Sequence, residues 1–224
     1  MDTEKFTRNT TLLLCFAAGF CDTLTFVAAG ELFSAHVTGN FIVFAYDIVK
    51  HSDHQSWQKL LTFPVFILAV MLGGQIAKKT SNIYTLLVLE ALLLLISGVV
   101  SVFLLNNGQG SGWQVQLVAI LIVIAMAFQN TFGKLFNKAT YGLTTVMTGN
   151  VTQASLDLIK GITAANTEVW TSFKKQITLI GGFLMGCLAG ALMAKQYGLV
   201  AVLLPAVLML AWLGANKLLR QTIA

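Results

Sequence analysis

Charged residues are scarce in this sequence, and their scarcity restricts the class of protein. Only 10% of the 224 residues are charged, whereas 56% are hydrophobic. Soluble domains carry about 25% charged residues, so this composition cannot supply a water-solvated surface. It therefore predicts an integral membrane protein. The net charge is +5. The basic residues are expected to set the membrane topology and to contact anionic lipid headgroups, and no nucleic-acid binding is expected.

The sequence also lacks the usual motifs of catalysis and metal binding. The three cysteines, Cys15, Cys21 and Cys187, form no CxxC motif and lie in apolar segments, where buried free thiols are expected. His51 and His54 are close together without a third ligand, so we expect neither a metal ion nor a cofactor. No Walker, HExxH or Ser-His-Asp pattern is present, and we predict that the protein is not an enzyme.

What the sequence does contain is a series of apolar segments. Six of them are interpreted as transmembrane helices, which need about 20 residues each. These six cover approximately residues 10–29, 60–77, 84–105, 115–132, 173–194 and 200–214. Two further apolar segments, 41–49 and 146–159, are short and begin beside small polar motifs. The pattern predicts an all-α integral membrane protein with six transmembrane helices and two half-helices.

The two halves of the chain repeat each other. Thr38-Gly39-Asn40 recurs as Thr148-Gly149-Asn150, and Asp22 corresponds to Asn130. Further matches occur in the same order: Phe20 with Phe128, Asp47 with Asp157, Lys50 with Lys160, Ala69 with Gly186, Gly73 with Gly190, Ala77 with Ala194, and Lys78 with Lys195. We therefore divide one membrane domain into a first repeat (1–105), a glycine-rich linker (106–112) and a second repeat (113–224).

The distribution of Lys and Arg favours six crossings over eight. With a cytoplasmic N-terminus and half-helices that re-enter the membrane, most basic residues lie on the cytoplasmic side, and fewer do so if the half-helices cross. Each repeat then crosses an odd number of times, which inverts the second repeat relative to the first. The two Thr-Gly-Asn motifs would approach the midplane from opposite sides, as in transporters built from inverted repeats.

Polar residues at membrane depth form the candidate site. Thr, Gly and Asn at the start of a half-helix can cap the helix, and they can also present its N–H groups to a solute. A carboxylate inside a span is costly unless it faces a cavity or a partner. We assign solute binding to Asp22, His36, Thr38, Gly39, Asn40, Asn130, Thr148, Gly149 and Asn150. Asp22, His36 and Glu90 are the candidates for coupling to a proton or cation, because they are titratable.

Simpler roles remain open for these groups. Asp22 would serve equally as a structural hydrogen-bond acceptor, and His36 and Glu90 would serve as polar groups at the membrane interface. The spacing of Asp47 and Lys50 places an acid and a base on one helix face, which predicts an exposed ion pair. Asp157 and Lys160 repeat this spacing.

Several motifs resemble those of the YoaK family of bacterial multi-pass membrane proteins. They are Ala18-Gly19-Phe20-Cys21-Asp22, Phe33-Ser34-Ala35-His36-Val37-Thr38-Gly39-Asn40, Phe128-Gln129-Asn130 and Met147-Thr148-Gly149-Asn150. The resemblance extends over nearly the whole chain. It implies six spans in the bacterial cytoplasmic membrane, and it implies no substrate.

These observations predict a secondary transporter of a small solute, with proton coupling as the favoured variant. A channel for a small solute and a membrane-embedded enzyme using Asp22, His36 and Glu90 are the alternatives. A non-catalytic scaffold is a third alternative. The expected partners are the solute and the lipid bilayer. The glycine-rich segment that begins near Gly181 is suited to close helix pairing, so a homo-oligomer is also considered.

Overall fold

The computed structural model describes residues 3–50, 56–108, 112–163 and 167–216. Within these ranges the regular secondary structure is entirely helical. The eight α-helices of the described residues are α1 (Thr3–Ala28), α2 (Gly39–Lys50), α3 (Trp57–Lys79), α4 (Thr85–Asn106), α5 (Trp113–Leu135), α6 (Met147–Thr163), α7 (Thr167–Tyr197) and α8 (Leu203–Ala215). Short 3-10 helices, Asn137–Ala139 and Gly198–Val202, precede α6 and α8.

Five stretches of the described chain are long and apolar enough to span a membrane. Four of them are α1, α3, α4 and α5, and the fifth is the 49-residue stretch Thr167–Ala215, which contains α7 and α8. The predicted class, an all-helical membrane protein, is therefore confirmed. The apolar segments 146–159 and 173–194 underestimate these helices, because α6 continues to Thr163 and α7 begins at Thr167.

The core is built from helices of both halves of the chain. Helix α1 packs along α7, while α5 packs against α3 and α4. Gly182, Gly186 and Gly190 of α7 face α1, and a Cβ on Gly186 would overlap the carbonyl group of Phe16. Small residues thus bring the two helix backbones into close contact, as expected in lipid. This glycine face is occupied by α1, and the homo-oligomer stays a prediction.

The two short helices lie at the periphery of the bundle. Helix α2 packs on α3, and α6 packs on α7. With 12 and 17 residues, they are about 18 and 26 Å long at 1.5 Å per residue, shorter than a bilayer core of about 30 Å. Their outer faces are apolar and exposed, as at Ile42 (75%) and Ile162 (68%). Such faces are suited to contact with lipid.

Candidate functional site

A polar cluster, which we call the Asp22 site, forms where the chain after α1 folds back onto that helix. Asp22 lies in the C-terminal third of α1 and is only 3% exposed. Its Oδ1 accepts hydrogen bonds from the backbone N–H groups of Ala35 (2.7 Å) and His36 (3.2 Å). Its Oδ2 lies 2.5 Å from Nδ1 of His36. These contacts offset the cost of placing a carboxylate at this depth.

His36 connects the buried carboxylate with the exterior of the bundle. Its side chain is 39% exposed, whereas that of Asp22 is 5% exposed. The ring also packs edge-on against Phe33 and Phe183. The hydrogen bond with Asp22 raises the pKa of His36 above its ordinary value of 6.5, and partial burial opposes this effect. The imidazole therefore keeps a bound proton to higher pH than a free histidine does.

Asn40 anchors the start of α2. It is fully buried, its Oδ1 accepts from the N–H of Phe33 (2.8 Å), and its Nδ2 donates to the carbonyl of Phe33 (2.8 Å). The same Nδ2 donates to the hydroxyl of Thr62 in α3 (2.9 Å). Gly39 passes so close to Phe33 that a Cβ would lie 3.0 Å from its ring. Asn40 and Gly39 therefore hold the preceding loop against α2 and α3.

The first turn of α2 already uses its backbone donors. The N–H groups of Gly39, Asn40 and Phe41 donate to carbonyl groups three residues earlier in the chain. Thr38 is exposed, and its side chain forms no hydrogen bond with the described residues. The sequence suggested N–H groups available to a solute at this position. In the structure, the exposed hydroxyl of Thr38 is the accessible polar group of the first motif.

The second motif repeats part of this arrangement. Nδ2 of Asn150 donates to the carbonyl of Leu143 (3.0 Å), again a residue seven positions earlier. Asn150 is 9% exposed, whereas Thr148 and Gly149 are exposed. Unlike Gly39, Gly149 has open space where a Cβ would lie. The shared feature of the two motifs is thus the asparagine that fixes the preceding loop.

Gln129, which we did not assign to the site, is more buried than its neighbour Asn130. Its Nε2 donates to the carbonyl of Leu14 and to the hydroxyl of Thr144, both at 2.8 Å. Asn130 is half-buried. Gln129 therefore connects α5 both to α1 and to the loop before α6. The sequence alignment of the two halves pointed to Asn130, but the packing of α5 buries its neighbour Gln129.

A buried ion pair joins α2 to α3. Nζ of Lys59 lies 2.5 Å from Oδ2 of Asp47, and the two residues are 6% and 4% exposed. The predicted pairing of Asp47 with Lys50 was wrong, because Lys50 is on the exposed face and lies near the Tyr46 ring.

The corresponding pairing in the second half, between Asp157 and Lys160, was also wrong. Asp157 is buried and accepts a hydrogen bond from Gln153 (2.7 Å), while Lys160 is exposed. In each short helix, only the acid lies on the face that packs against the bundle. The basic residue three positions later lies on the exposed face of the helix.

Glu90 of α4 is fully buried, which excludes the interfacial alternative. Neither of its carboxyl oxygens has a hydrogen-bond partner among the residues that the structure describes. It lies within electrostatic range of Cys21, the chain neighbour of Asp22. An unpaired carboxylate in such surroundings is expensive, so the neutral acid is the form that this site accommodates.

The described residues contain no group of three or more His, Cys, Asp or Glu side chains able to hold a metal ion. What they contain is a pair of helix–loop junctions, each fixed by a buried asparagine, and one junction that also carries a carboxylate–imidazole pair. This arrangement brings together hydrogen-bonding groups and one titratable pair.

The fold and these junctions define a multi-pass α-helical membrane protein. The chain belongs to a protein family of unknown function (DUF1275), whose model matches residues 10–215. It is similar to the UPF0700 transmembrane protein YoaK of Bacillus subtilis (strain 168), with 28% identity over 158 residues, which cover 67% of each chain. No solved structure matches it significantly. The resemblance to the YoaK family is thereby confirmed.

Proposed function

We propose that the protein is a proton-coupled secondary transporter that moves a small solute without chemical conversion. The observation that carries this proposal is the hydrogen bond between buried Asp22 and half-exposed His36. Two backbone N–H groups bind Oδ1 of Asp22, and the imidazole of His36 is the partner of Oδ2. The imidazole adds a titratable group whose side chain is 39% exposed at the exterior of the bundle.

Protonation at this pair would change the charge where α1 meets the loop that leads into α2. Because Asn40 fixes that loop to α2 and α3, a movement of the loop would be transmitted to both helices. Glu90 is the third coupling candidate, as a buried acid near the same part of α1. Alternating access needs such a link between a titratable group and a mobile element.

We propose that the solute meets the exposed members of the Thr-Gly-Asn motifs, namely Thr38, Thr148 and Gly149. Asn40 and Asn150 would support them, since their amides hold backbone groups. The remaining predicted residues, Gly39 and Asn130, would shape the path. In this proposal the asparagines orient the half-helices, and the exposed groups select the solute.

The proposed architecture has six crossings and two re-entrant half-helices, in the bacterial cytoplasmic membrane. Gly198 adopts a φ of 56° directly after α7, which allows the chain to turn there. The five-residue 3-10 helix and the 13 residues of α8 together extend about 30 Å. That length suits a sixth crossing, separate from α7.

The grouping of helix ends also supports six crossings. Thr3 at the start of α1, Ile83 between α3 and α4, and Lys138 after α5 border one cavity. The opposite ends of α1, α4 and α5 border a different cavity, at Ala28, Leu105 and Val115. This is the grouping expected when α1, α3, α4 and α5 each cross once and alternate in direction.

Reciprocal contacts support the two repeats. In the alignment of the two halves, Phe20 corresponds to Phe128 and Gly73 corresponds to Gly190. In the structure, Gly190 lies against Phe20 and Gly73 lies against Phe128. Likewise, α1 packs on α7 as α5 packs on α3. Contacts of this kind are expected from a two-fold relation between inverted repeats.

Proteoliposomes that contain a pH-sensitive dye test the coupling. We expect one class in a panel of amino acids, sugars, nucleosides and carboxylic acids to drive proton movement with the wild-type protein. Asp22→Asn and His36→Gln should abolish solute-driven proton movement while solute exchange between the two sides continues. Lys50→Gln, an exposed change, is the matched control. Solute flux without proton movement in the wild type would favour a channel, and full proton coupling in Asp22→Asn would refute the proposal.

A further inference from the structure

Asp157 in α6 carries a buried oxygen that nothing in the described chain satisfies. The residue is 4% exposed, and its Oδ1 accepts a hydrogen bond from Gln153 at 2.7 Å. Its Oδ2 is buried and has no hydrogen-bond partner among the described residues. Leaving a buried carboxylate oxygen without a donor is costly, so a hydrogen-bond donor or a cation at this position would be stabilising.

A second oxygen of the same kind lies on the neighbouring helix. Oε1 of Gln176 in α7 is also buried without a partner among the described residues. Gly161 of α6 lies against Trp170 of α7, and further along the interface Asn150 and Leu179 both border Gly142. The two helices are therefore antiparallel at this interface. Interpolated between these contacts, Asp157 and Gln176 differ in level along the helix axes by less than about one turn.

The first half of the molecule shows what fills the equivalent position. Asp47 corresponds to Asp157, and the spacing that relates Gly73 to Gly190 also relates Lys59 to Gln176. In the first half, the ammonium group of Lys59 lies 2.5 Å from Asp47. The second half keeps the acid but replaces the lysine with a neutral side chain that offers an oxygen.

We infer that the second half binds a monovalent cation of the Na⁺ class between Asp157 and Gln176, where the first half uses the ammonium group of Lys59. Carboxylate and amide oxygens are suitable ligands for a hard cation. One carboxylate supplies a single negative charge, which matches a monovalent ion, whereas Ca²⁺ sites typically use several carboxylates. Water or backbone carbonyl groups would complete the coordination.

The site has a route to the solvent. Gln176 borders an open polar cleft of about 420 Å³ that also includes Tyr141, Thr171 and Lys175. Lys175 is the chain neighbour of Gln176, but its Nζ lies over the Tyr141 ring, 5.4 Å from the ring centre. The described residues form no ion pair between Asp157 and a lysine. An ion from solution is therefore the group that fits.

Thermal unfolding of the purified full-length protein in detergent tests this inference. NaCl would be compared with N-methyl-D-glucamine chloride at equal ionic strength, with tryptophan fluorescence as the readout. We expect a saturable rise of several degrees in Tm with Na⁺, because an ion that binds only the folded state stabilises it. KCl and LiCl would rank the alkali ions by size.

Gln176→Lys is the decisive variant, since it recreates the arrangement of the first half. It should lose the response to Na⁺ and reach, without Na⁺, at least the Tm of the Na⁺-saturated wild type. Asp157→Asn should also lose the response, and Lys175→Gln, the matched control in the cleft, should keep it. Equal Tm values in both salts for the wild type would overturn the inference. A sodium response that persists in Gln176→Lys would do the same, even if Asp157→Asn does not fold.

Discussion

The hydrogen bond between His36 and Asp22 makes the stability of the protein depend on pH. The pKa of His36 is raised in the folded protein, so the folded state holds this proton more tightly than the unfolded chain. The resulting stabilisation is complete below the ordinary pKa of 6.5 and is lost as the pH rises through the folded pKa. We expect Tm to fall above about pH 6.5 in the wild type, relative to His36→Gln. Parallel Tm profiles from pH 5 to 9 for the two proteins would contradict this assignment.

At the same scale, the two asparagines of the repeated motifs should differ in their contribution to stability. Asn40→Ala leaves both backbone groups of Phe33 and the Thr62 hydroxyl without their partner, so we expect a loss of about 2–3 kcal/mol. Asn150→Ala removes the bond to the carbonyl of Leu143 and a weak one to the sulfur of Met147, with an expected loss of about 1 kcal/mol. Thermal unfolding in detergent measures both. A larger loss in Asn150→Ala would show that the bonds of Asn40 contribute little.

The sequence indicates which residues are candidates more reliably than it indicates their partners. Asp22, His36 and Asn40 stand out because polar groups are rare in apolar segments, and the structure does bring them together around one loop. The partners Lys59 and Gln129 were missed. A lysine in the first turn of a span resembles a topology signal, and helix rotation decides which of two adjacent amides is buried.

At the scale of the helices, the contact between α1 and α7 depends on glycines. A Cβ on Gly186 would overlap backbone atoms of Phe16, which cannot move aside as a side chain can. We expect Gly186→Val to separate the two helices and to destabilise the protein by more than about 3 kcal/mol. Gly181→Ala, on the same helix, points into open space and should be neutral. Monodispersity after detergent extraction measures both, and equal behaviour of the two variants would argue against this packing.

The buried ion pair between α2 and α3 should respond differently to single and double substitution. Lys59→Met removes the cation opposite buried Asp47, with an expected loss of about 3 kcal/mol. Adding Asp47→Leu should restore most of that loss, because the apolar pair needs no charge compensation. Thermal unfolding of the single and double variants checks this. A double variant as unstable as Lys59→Met would mean that the pair fixes α2 by a specific geometry that apolar contact cannot replace.

Helix limits were predicted less well than helix existence. The apolar pattern located all of the long helices, because lipid requires about 20 apolar residues for each crossing. It missed the first turns of α7, where the segment TEVWTS (167–172) is largely polar. Hydropathy reports the part of a helix in lipid, whereas backbone hydrogen bonds extend the helix beyond the bilayer. The short helices were recognised from the repeated motifs and not from their length.

For the whole molecule, the two halves share a framework but differ in their charges. Both have a buried asparagine that fixes a loop and a buried acid on the short helix. Only the first half adds the Asp22–His36 pair and the Lys59–Asp47 pair. If the halves arose by duplication, as we propose, the shared framework is what was retained, and the differing polar positions give each half a different electrostatic character.

The inverted relation of the halves is the prediction on which the paired-site mechanism depends. Single cysteines at Lys50 and Thr163, the exposed ends of α2 and α6, would be introduced after Cys15, Cys21 and Cys187 are replaced by alanine. In intact cells, a membrane-impermeant maleimide should label Lys50→Cys, whereas Thr163→Cys should react only after permeabilisation. Six crossings place these ends on opposite sides, because each repeat contains three spans. The same labelling at both positions would mean eight crossings and parallel repeats, and the two Thr-Gly-Asn motifs would then lie on one side of the membrane.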